Sequence, residues 1–144
     1  MKIKDIMTSD PHVVSPNETV SHAAKLMKEL NVGSLPVCDG SRLVGMITDR
    51  DITTRSTAQG SNPQNIMVSE VMTPKIRYCF EDQDISEAAR LMQDEQIRRL
   101  PVLDRQKQLV GILSLGDLSV DADMDTLSGK TLEEISKPSR PNRQ

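Results

Sequence analysis

A short polar motif follows an apolar stretch at two places in the chain. After "LVGMI" come Thr48 and Asp51, and after "LVGIL" come Ser114 and Asp117, with the same spacing between hydroxyl and carboxylate. A carboxylate can accept hydrogen bonds from two adjacent hydroxyl groups, and a serine or threonine hydroxyl can bind an anion. Serine, threonine and aspartate also cap helices well. One copy alone would favour a helix cap, and the recurrence strengthens the case for a ligand site.

Metal binding is not expected at these motifs or elsewhere in the chain. Asp49 and Asp51 form a D-x-D pair that could hold Mg²⁺, but that pattern is short, and the second motif has Leu115 in place of Asp49. His12 and His22 have no cysteine or carboxylate cluster at the spacing that zinc requires. We therefore predict no metal site.

Two adjacent arginines, Arg98 and Arg99, stand directly before the apolar segment "LPVL". Charge immediately before a buried strand suggests that at least one guanidinium faces a cleft, although a solvated surface pair is the alternative. Gly33 and Ser34 occupy the corresponding positions of the first copy and carry no charge. Arg50, inside its own motif, can partly compensate. The two copies therefore differ where an anionic group would bind.

The polar motifs belong to a longer internal repeat. Each copy contains a "DIMT"-like segment, a longer helical segment and a strand pair, and the offset changes from 65 to 66 through one inserted turn residue. Ordered agreement of this kind indicates two copies of one structural unit. The matching segments are 5–8 with 70–73, 20–39 with 85–104, and 43–52 with 109–118.

Each copy reads as strand, helix, strand, strand, helix. In the first helix Val20, Ala23 and Met27 recur at the spacing of one helical face. In the second copy Asp84 and Glu87 predict a capping box at the start of the matching helix. A unit of about 55 residues is too small to be securely stable alone, so the copies should share a core. The predicted organisation is repeat 1 at 1–57, a linker at 58–65, repeat 2 at 66–120, and a polar, partly disordered tail at 121–144.

Composition narrows the class of protein. The 144 residues carry a net charge of −3 and include one tyrosine, one phenylalanine and no tryptophan. A nucleic-acid binder usually shows a basic face or aromatic platforms, so nucleic acid is an improbable partner. Cys38 and Cys79 stand in apolar stretches and are expected to be buried and unpaired. The sequence shows no leader-like or membrane-spanning apolar run, and a soluble, cytoplasmic protein is expected.

The ordered combination of "DIMT", "AAKLMKELNVGSLPV" and "VGMITDRDI", with a second copy of each, resembles a pair of CBS domains, also called a Bateman module. The resemblance covers roughly residues 1–120. It implies an α+β fold in which two β-α-β-β-α repeats pack through their sheets with pseudo-two-fold symmetry. It also implies two clefts between the repeats, a standalone regulatory protein, and further association into a homodimer.

The resemblance further implies an adenosine-containing ligand such as AMP, ADP or ATP. In that case Asp51 and Asp117 hold the ribose hydroxyls, Thr48 and Ser114 assist, and Arg98 and Arg99 reach the phosphates of the ribose held by Asp117. The opposite repeat supplies the walls that hold the base. Thr8, Val14, Val32 and Gly33 would wall the Asp117 site, while Thr73, the 77–79 strand with Tyr78, Ile97 and Arg98 would wall the Asp51 site.

Tyr78 is the only tyrosine, and its role stays open between stacking on a base and filling the core. No nucleophile–base pair, cofactor lysine motif or Gly-rich phosphate loop is present, so the chain is not expected to be an enzyme or to need a cofactor. The predicted function is a sensor of adenine nucleotides. The alternative is an interaction module, for protein or nucleic acid, whose clefts are vestigial.

Overall fold

A computed structural model describes residues 1–119 and 125–136 of the chain. Strands and helices alternate along the sequence, with a 3₁₀ turn at Ile3–Asp5 and a π-helical turn at Thr53–Thr57. The strands are β1 Thr8–Ser9, β2 Ser34–Asp39, β3 Arg42–Thr48, β4 Cys79–Phe80, β5 Arg99–Leu103 and β6 Leu109–Ser114. The helices are α1 Val20–Leu30, α2 Asp49–Ile52, α3 Val68–Val71, α4 Ile85–Glu95, α5 Leu115–Leu118 and α6 Asp125–Ser136.

The two long helices of the repeats begin and end in the same way. Thr19 caps α1 by accepting a hydrogen bond from the His22 backbone N–H at 3.1 Å. At α4 the predicted capping box of Asp84 and Glu87 is confirmed. Asn31 and Gln96 end the two helices in the left-handed conformation that commonly stops a helix. These signals fix where each helix presents its apolar face.

The chain divides into two compact units that do not coincide with the two sequence repeats. The Asp51 unit is built from Pro11–Ile76 and Lys107–Leu109. The Asp117 unit is built from Met1–Asp10, Arg77–Gln106 and the described residues from Val110 onward. The segment that begins each sequence repeat therefore packs in the unit that contains the rest of the other repeat.

Both units have the same strand arrangement. In the Asp117 unit the order is β1-β6-β5-β4, with β1 antiparallel to β6 and β4 parallel to β5. In the Asp51 unit the antiparallel pair β2–β3 is extended by a parallel bridge from Val14 to Val37 and an antiparallel bridge from Thr73 to Met46. The expected α+β fold with two repeats is confirmed.

Each unit has its own core, which is aliphatic because the chain has few aromatic residues. Cys38 and Cys79 are buried free cysteines, as predicted. The core of the Asp51 unit is formed by Val14, Val20, Ala23, Met27, Leu35, Val37, Ile47, Val68 and Val71. The core of the Asp117 unit is formed by Ile3, Cys79, Ile85, Ala88, Ala89, Met92, Leu100, Val102, Leu113 and Leu118.

Helix α6 lies within the segment 121–144, for which the sequence predicts a polar, partly disordered tail and no helix. Ile135 packs against the core of the Asp117 unit. The Gln93 side-chain amide donates to the fully buried Thr131 hydroxyl at 3.0 Å, and the Gln96 amide donates to the Glu134 carbonyl. The rest of the predicted tail, at 120–124 and 137–144, lies outside the described residues.

Across 1–119 and 125–136, no helix is both long and apolar enough to span a membrane.

Candidate functional site

The Thr48–Asp51 motif forms a reciprocal cap at the start of α2. The Thr48 hydroxyl accepts a hydrogen bond from the Asp51 N–H at 3.0 Å, and Oδ2 of Asp51 accepts from the Thr48 N–H at 3.0 Å. This cap fixes the orientation of the carboxylate, because one oxygen is held by the backbone. The other oxygen, Oδ1, is the one that faces further partners.

Two further side chains meet the Asp51 carboxylate. The Thr73 hydroxyl lies 3.4 Å from Oδ1 of Asp51, and Nη1 of Arg55 lies 3.7 Å from the same atom. Nη1 of Arg55 also donates to the carbonyls of Val71 and Met72, at 3.1 Å each. Asp51 is only 8% exposed. A nearly buried carboxylate thus has a hydroxyl and a guanidinium beside its second oxygen.

The Asp117 unit contains the same cap with a more open carboxylate. Oδ2 of Asp117 accepts from the Ser114 N–H at 2.7 Å, and the Ser114 hydroxyl accepts from the Asp117 N–H at 3.3 Å. Asp117 is half-buried. Within residues 1–119 and the described part of α6, no hydrogen bond reaches Oδ1 of Asp117. The motif is therefore a helix cap in which one carboxylate oxygen stays without a hydrogen bond from the described residues.

The structure places Arg98 and Arg99 next to the Ser114 motif. The Leu115 N–H donates to the Arg98 carbonyl at 2.8 Å, so the start of β5 and the end of β6 adjoin. Both arginine side chains are exposed, and neither has a side-chain partner in the described part of the chain. Two exposed arginines whose backbone adjoins the capped Asp117 motif could serve a ligand that combines hydroxyl groups with a phosphate.

The corresponding corner of the Asp51 unit lacks these arginines. The Asp49 N–H donates to the Gly33 carbonyl at 2.9 Å, which reproduces the backbone contact between Leu115 and Arg98. Ser34 pairs with Thr48 across the hairpin. Arg50 is exposed on the first turn of α2, where it stays a predicted phosphate contact.

Strands β3 and β6 each contain a glycine, Gly45 and Gly111, at the point where a Met-Thr segment from the other repeat crosses closely. A Cβ at Gly45 would lie 2.7 Å from the Thr73 carbonyl oxygen, and one at Gly111 would lie 2.8 Å from the Thr8 carbonyl oxygen. Thr73 bridges to Met46, and Thr8 pairs with Ile112, which is the matching position of the second copy. This crossing brings the Thr73 hydroxyl to Asp51. Thr8 lies at the equivalent position of the Asp117 unit.

The remaining predicted wall residues are divided between the two units. Val14 is buried, Val32 is half-buried and Gly33 is exposed in the Asp51 unit. Ile97 is half-buried in the Asp117 unit. Tyr78 in that unit is 37% exposed, with its ring edge-on to Phe80 at 5.6 Å between centroids. That these residues hold the base of a bound ligand stays a prediction.

Arg55 is the residue of the site that the sequence analysis missed. A usable signal was present, because Arg55 stands four positions after Asp51 in a helical segment, where side chains of opposite charge meet. Its segment is a π-helical turn, a rare geometry that often occurs at functional sites. Local spacing does not predict the hydrogen bonds of Arg55 to the Val71 and Met72 carbonyls, because they depend on long-range packing of the chain.

The described residues contain no group of three or more histidine, cysteine or acidic side chains that could hold a metal ion. Asp49, the first member of the D-x-D pair, is exposed, and its Oδ1 accepts from the Arg50 N–H at 2.8 Å. Burial raises the pKa of the Cys38 thiol to about 11 and that of the Cys79 thiol to about 12. Neither cysteine is a ready metal ligand or nucleophile, because both require the thiolate.

The repeated β-α-β-β-α unit and its capped carboxylate define a two-repeat fold of the CBS type. The sequence matches the CBS domain family at residues 3–57 and 68–120, and the chain belongs to that family. It is 46% identical over 134 residues to the CBS domain-containing protein YhcV of Bacillus subtilis, covering 93% of this chain and 94% of that protein.

Two solved structures of similar fold contain adenosine compounds. CBSX2 in complex with AMP is 30% identical, with a TM-score of 0.75 over 87% of this chain and 98% of that one. The CBS domain pair of protein MJ0100, in complex with 5'-methylthioadenosine and S-adenosylmethionine, is 30% identical. Its TM-score is 0.73 over 90% of this chain and 98% of that one. Both of these CBS pair structures thus hold adenosine compounds.

Proposed function

We propose that this protein is a regulatory module that binds adenosine-containing ligands through the carboxylates of Asp51 and Asp117. The observation that carries the proposal is the state of Asp117: backbone holds Oδ2 at 2.7 Å, and no group in the described chain hydrogen-bonds Oδ1. An oriented carboxylate with a free oxygen suits the two adjacent hydroxyls of a ribose. The adenosine ligands of CBSX2 and MJ0100 support this choice.

The phosphate of a nucleotide would bind at the Arg98 and Arg99 end of the Asp117 motif. Guanidinium groups form charge-assisted, two-pronged hydrogen bonds with phosphate oxygens, and here both are exposed and unpaired within the described residues. The Ser114 hydroxyl stands on the same corner of the fold. AMP, ADP or ATP therefore fits this unit better than a nucleoside alone.

The output we propose is regulatory rather than catalytic. Ligand binding would favour one arrangement of the protein over another and so alter its affinity for itself or for a partner protein. A cytoplasmic homodimer remains our expectation for the working state. The buried cysteines, with their raised pKa values, are poor nucleophiles, and no turnover of nucleotides is expected.

Thermal denaturation in the presence of adenosine, AMP, ADP or ATP tests the proposal, because a ligand of the native state raises the melting temperature. Wild-type protein should be stabilised, and the double variant Asp51→Asn/Asp117→Asn should lose the effect while folding normally. GMP serves as a base control. No shift with any adenine compound at millimolar concentration would contradict the proposal and favour an interaction module with vestigial clefts.

A further inference from the structure

We propose that Asp49 determines ligand specificity in the Asp51 unit, by disfavouring phosphate and leaving that unit selective for adenosyl ligands without a phosphate group. The inference rests on the proposed function, because it concerns the ligand whose ribose Asp51 holds. The two units would then divide the adenosine compounds between them according to charge. Nucleotides would bind at Asp117, and nucleosides or thioether nucleosides would bind at Asp51.

The position of Asp49 is fixed by two hydrogen bonds. Its N–H donates to the Gly33 carbonyl at 2.9 Å, and its Oδ1 accepts from the Arg50 N–H at 2.8 Å. Its Oδ2 lies 3.1 Å from the place that a Cβ on Gly33 would occupy. The carboxylate therefore lies over Gly33 at the corner where β2 starts and β3 ends.

The same corner of the Asp117 unit carries the opposite charge. The Leu115 N–H donates to the Arg98 carbonyl at 2.8 Å, so Leu115 corresponds to Asp49 and Arg98 to Gly33 in an equivalent backbone. Where the Asp51 unit has the carboxylate of Asp49 and a glycine at 33, the Asp117 unit has Leu115 and Arg98. One unit thus carries a negative charge at the corner where the other carries a positive charge, on the neighbouring one of two adjoining positions.

Within the described residues the Asp49 side chain forms no salt bridge, and its one hydrogen bond is from the Arg50 backbone N–H. If Asp49 disfavours phosphate in this unit, the phosphate contact predicted for Arg50 is not made; the Arg50 side chain is exposed and forms no ion pair with Asp49 in the described chain. The Arg55 guanidinium is directed to Asp51 and to the carbonyls of Val71 and Met72. A phosphate on a ribose held by Asp51, next to the Thr48–Asp49 corner, would meet an unpaired carboxylate within several ångströms. Repulsion at that distance amounts to roughly a 3- to 30-fold loss of affinity, and salt weakens it.

Titration calorimetry in an Asp117→Asn background isolates the Asp51 unit and tests the inference. Adenosine should bind more tightly than AMP, and adding Asp49→Asn should raise the affinity for AMP relative to adenosine by roughly 3- to 30-fold at low salt. Asp39→Asn is the matched control, because it removes the same charge at the far end of β2. In an Asp51→Asn background, Leu115→Asp should lower the affinity for AMP relative to adenosine.

The outcomes separate this inference from the proposed function. If adenosine binds in the Asp117→Asn background and Asp49→Asn leaves the AMP-to-adenosine ratio unchanged, Asp49 does not set specificity. The same conclusion follows if Asp39→Asn changes the ratio as much. If neither adenosine nor AMP binds to any of the variants or to wild-type protein, the proposed function itself is wrong.

Discussion

The hydroxyl of Thr73 lies 3.4 Å from Oδ1 of Asp51, although the two residues belong to different sequence repeats. They meet because the 66–76 segment packs in the Asp51 unit, where Thr73 exchanges backbone hydrogen bonds with Met46. The hydrogen-bonded neighbours of the Asp51 carboxylate therefore come from both copies of the repeat. A change in either copy can alter the environment of this carboxylate.

Gly45 should be needed for the contact between Thr73 and Asp51. In Gly45→Ala the new Cβ would lie 2.7 Å from the Thr73 carbonyl oxygen and 3.0 Å from the Met72 sulfur, so the 72–74 segment must move. We expect the free energy of unfolding to fall by about 1–3 kcal/mol, as for other overpacked sites. Urea denaturation measures this loss. Gly116→Ala is the control, since its nearest neighbouring atom is 3.7 Å away, and equal stability of both variants would contradict the account.

Arg55 should stabilise the Asp51 unit by joining the π-helical turn to the 71–73 segment. Arg55→Gln removes the guanidinium from two backbone carbonyls and from Asp51. Because the side chain is half exposed, we expect a loss of only about 1 kcal/mol in the free energy of unfolding. Arg50→Gln, an exposed arginine five positions earlier, should have almost no effect. Identical denaturation curves for the two variants would show that the Arg55 contacts contribute nothing.

The repeat organisation, the helix faces and the caps follow from local patterns in the sequence. Asp84 and Glu87 predict their capping box because both partners lie within one turn. The Thr73–Asp51 contact and the regrouping of Met1–Asp10 with Arg77–Gln106 depend on long-range packing, which no local pattern encodes. The sequence does not predict helix α6, because its segment has few large apolar residues; Ile135 and a part-buried hydrogen bond from Gln93 to Thr131 hold it in place.

The two buried cysteines should make stability depend on pH in the alkaline range. Their pKa values rise from 9.0 to about 11 for Cys38 and about 12 for Cys79 on burial. The unfolded chain therefore releases these thiol protons first. Their contribution is complete below pH 9 and is lost as the pH rises toward 11 to 12.

Urea denaturation between pH 8 and pH 10.5 measures this effect, which should reach about 1 kcal/mol per cysteine per pH unit above pH 9.5. The variant Cys38→Ala/Cys79→Ala should lose less stability than wild-type protein over the same interval. Parallel losses in the two proteins would contradict the assigned pKa shifts.

The central claim is that Asp51 and Asp117 hold the ribose of an adenosine ligand, and titration calorimetry with adenosine and AMP tests it most directly. Asn in place of either aspartate keeps an oxygen for the helix cap but removes the charge that strengthens hydrogen bonds from the ribose. We predict that Asp51→Asn and Asp117→Asn each abolish one binding event or weaken it by roughly 10- to 150-fold. Two variants that bind with the stoichiometry and affinity of wild-type protein would contradict the claim.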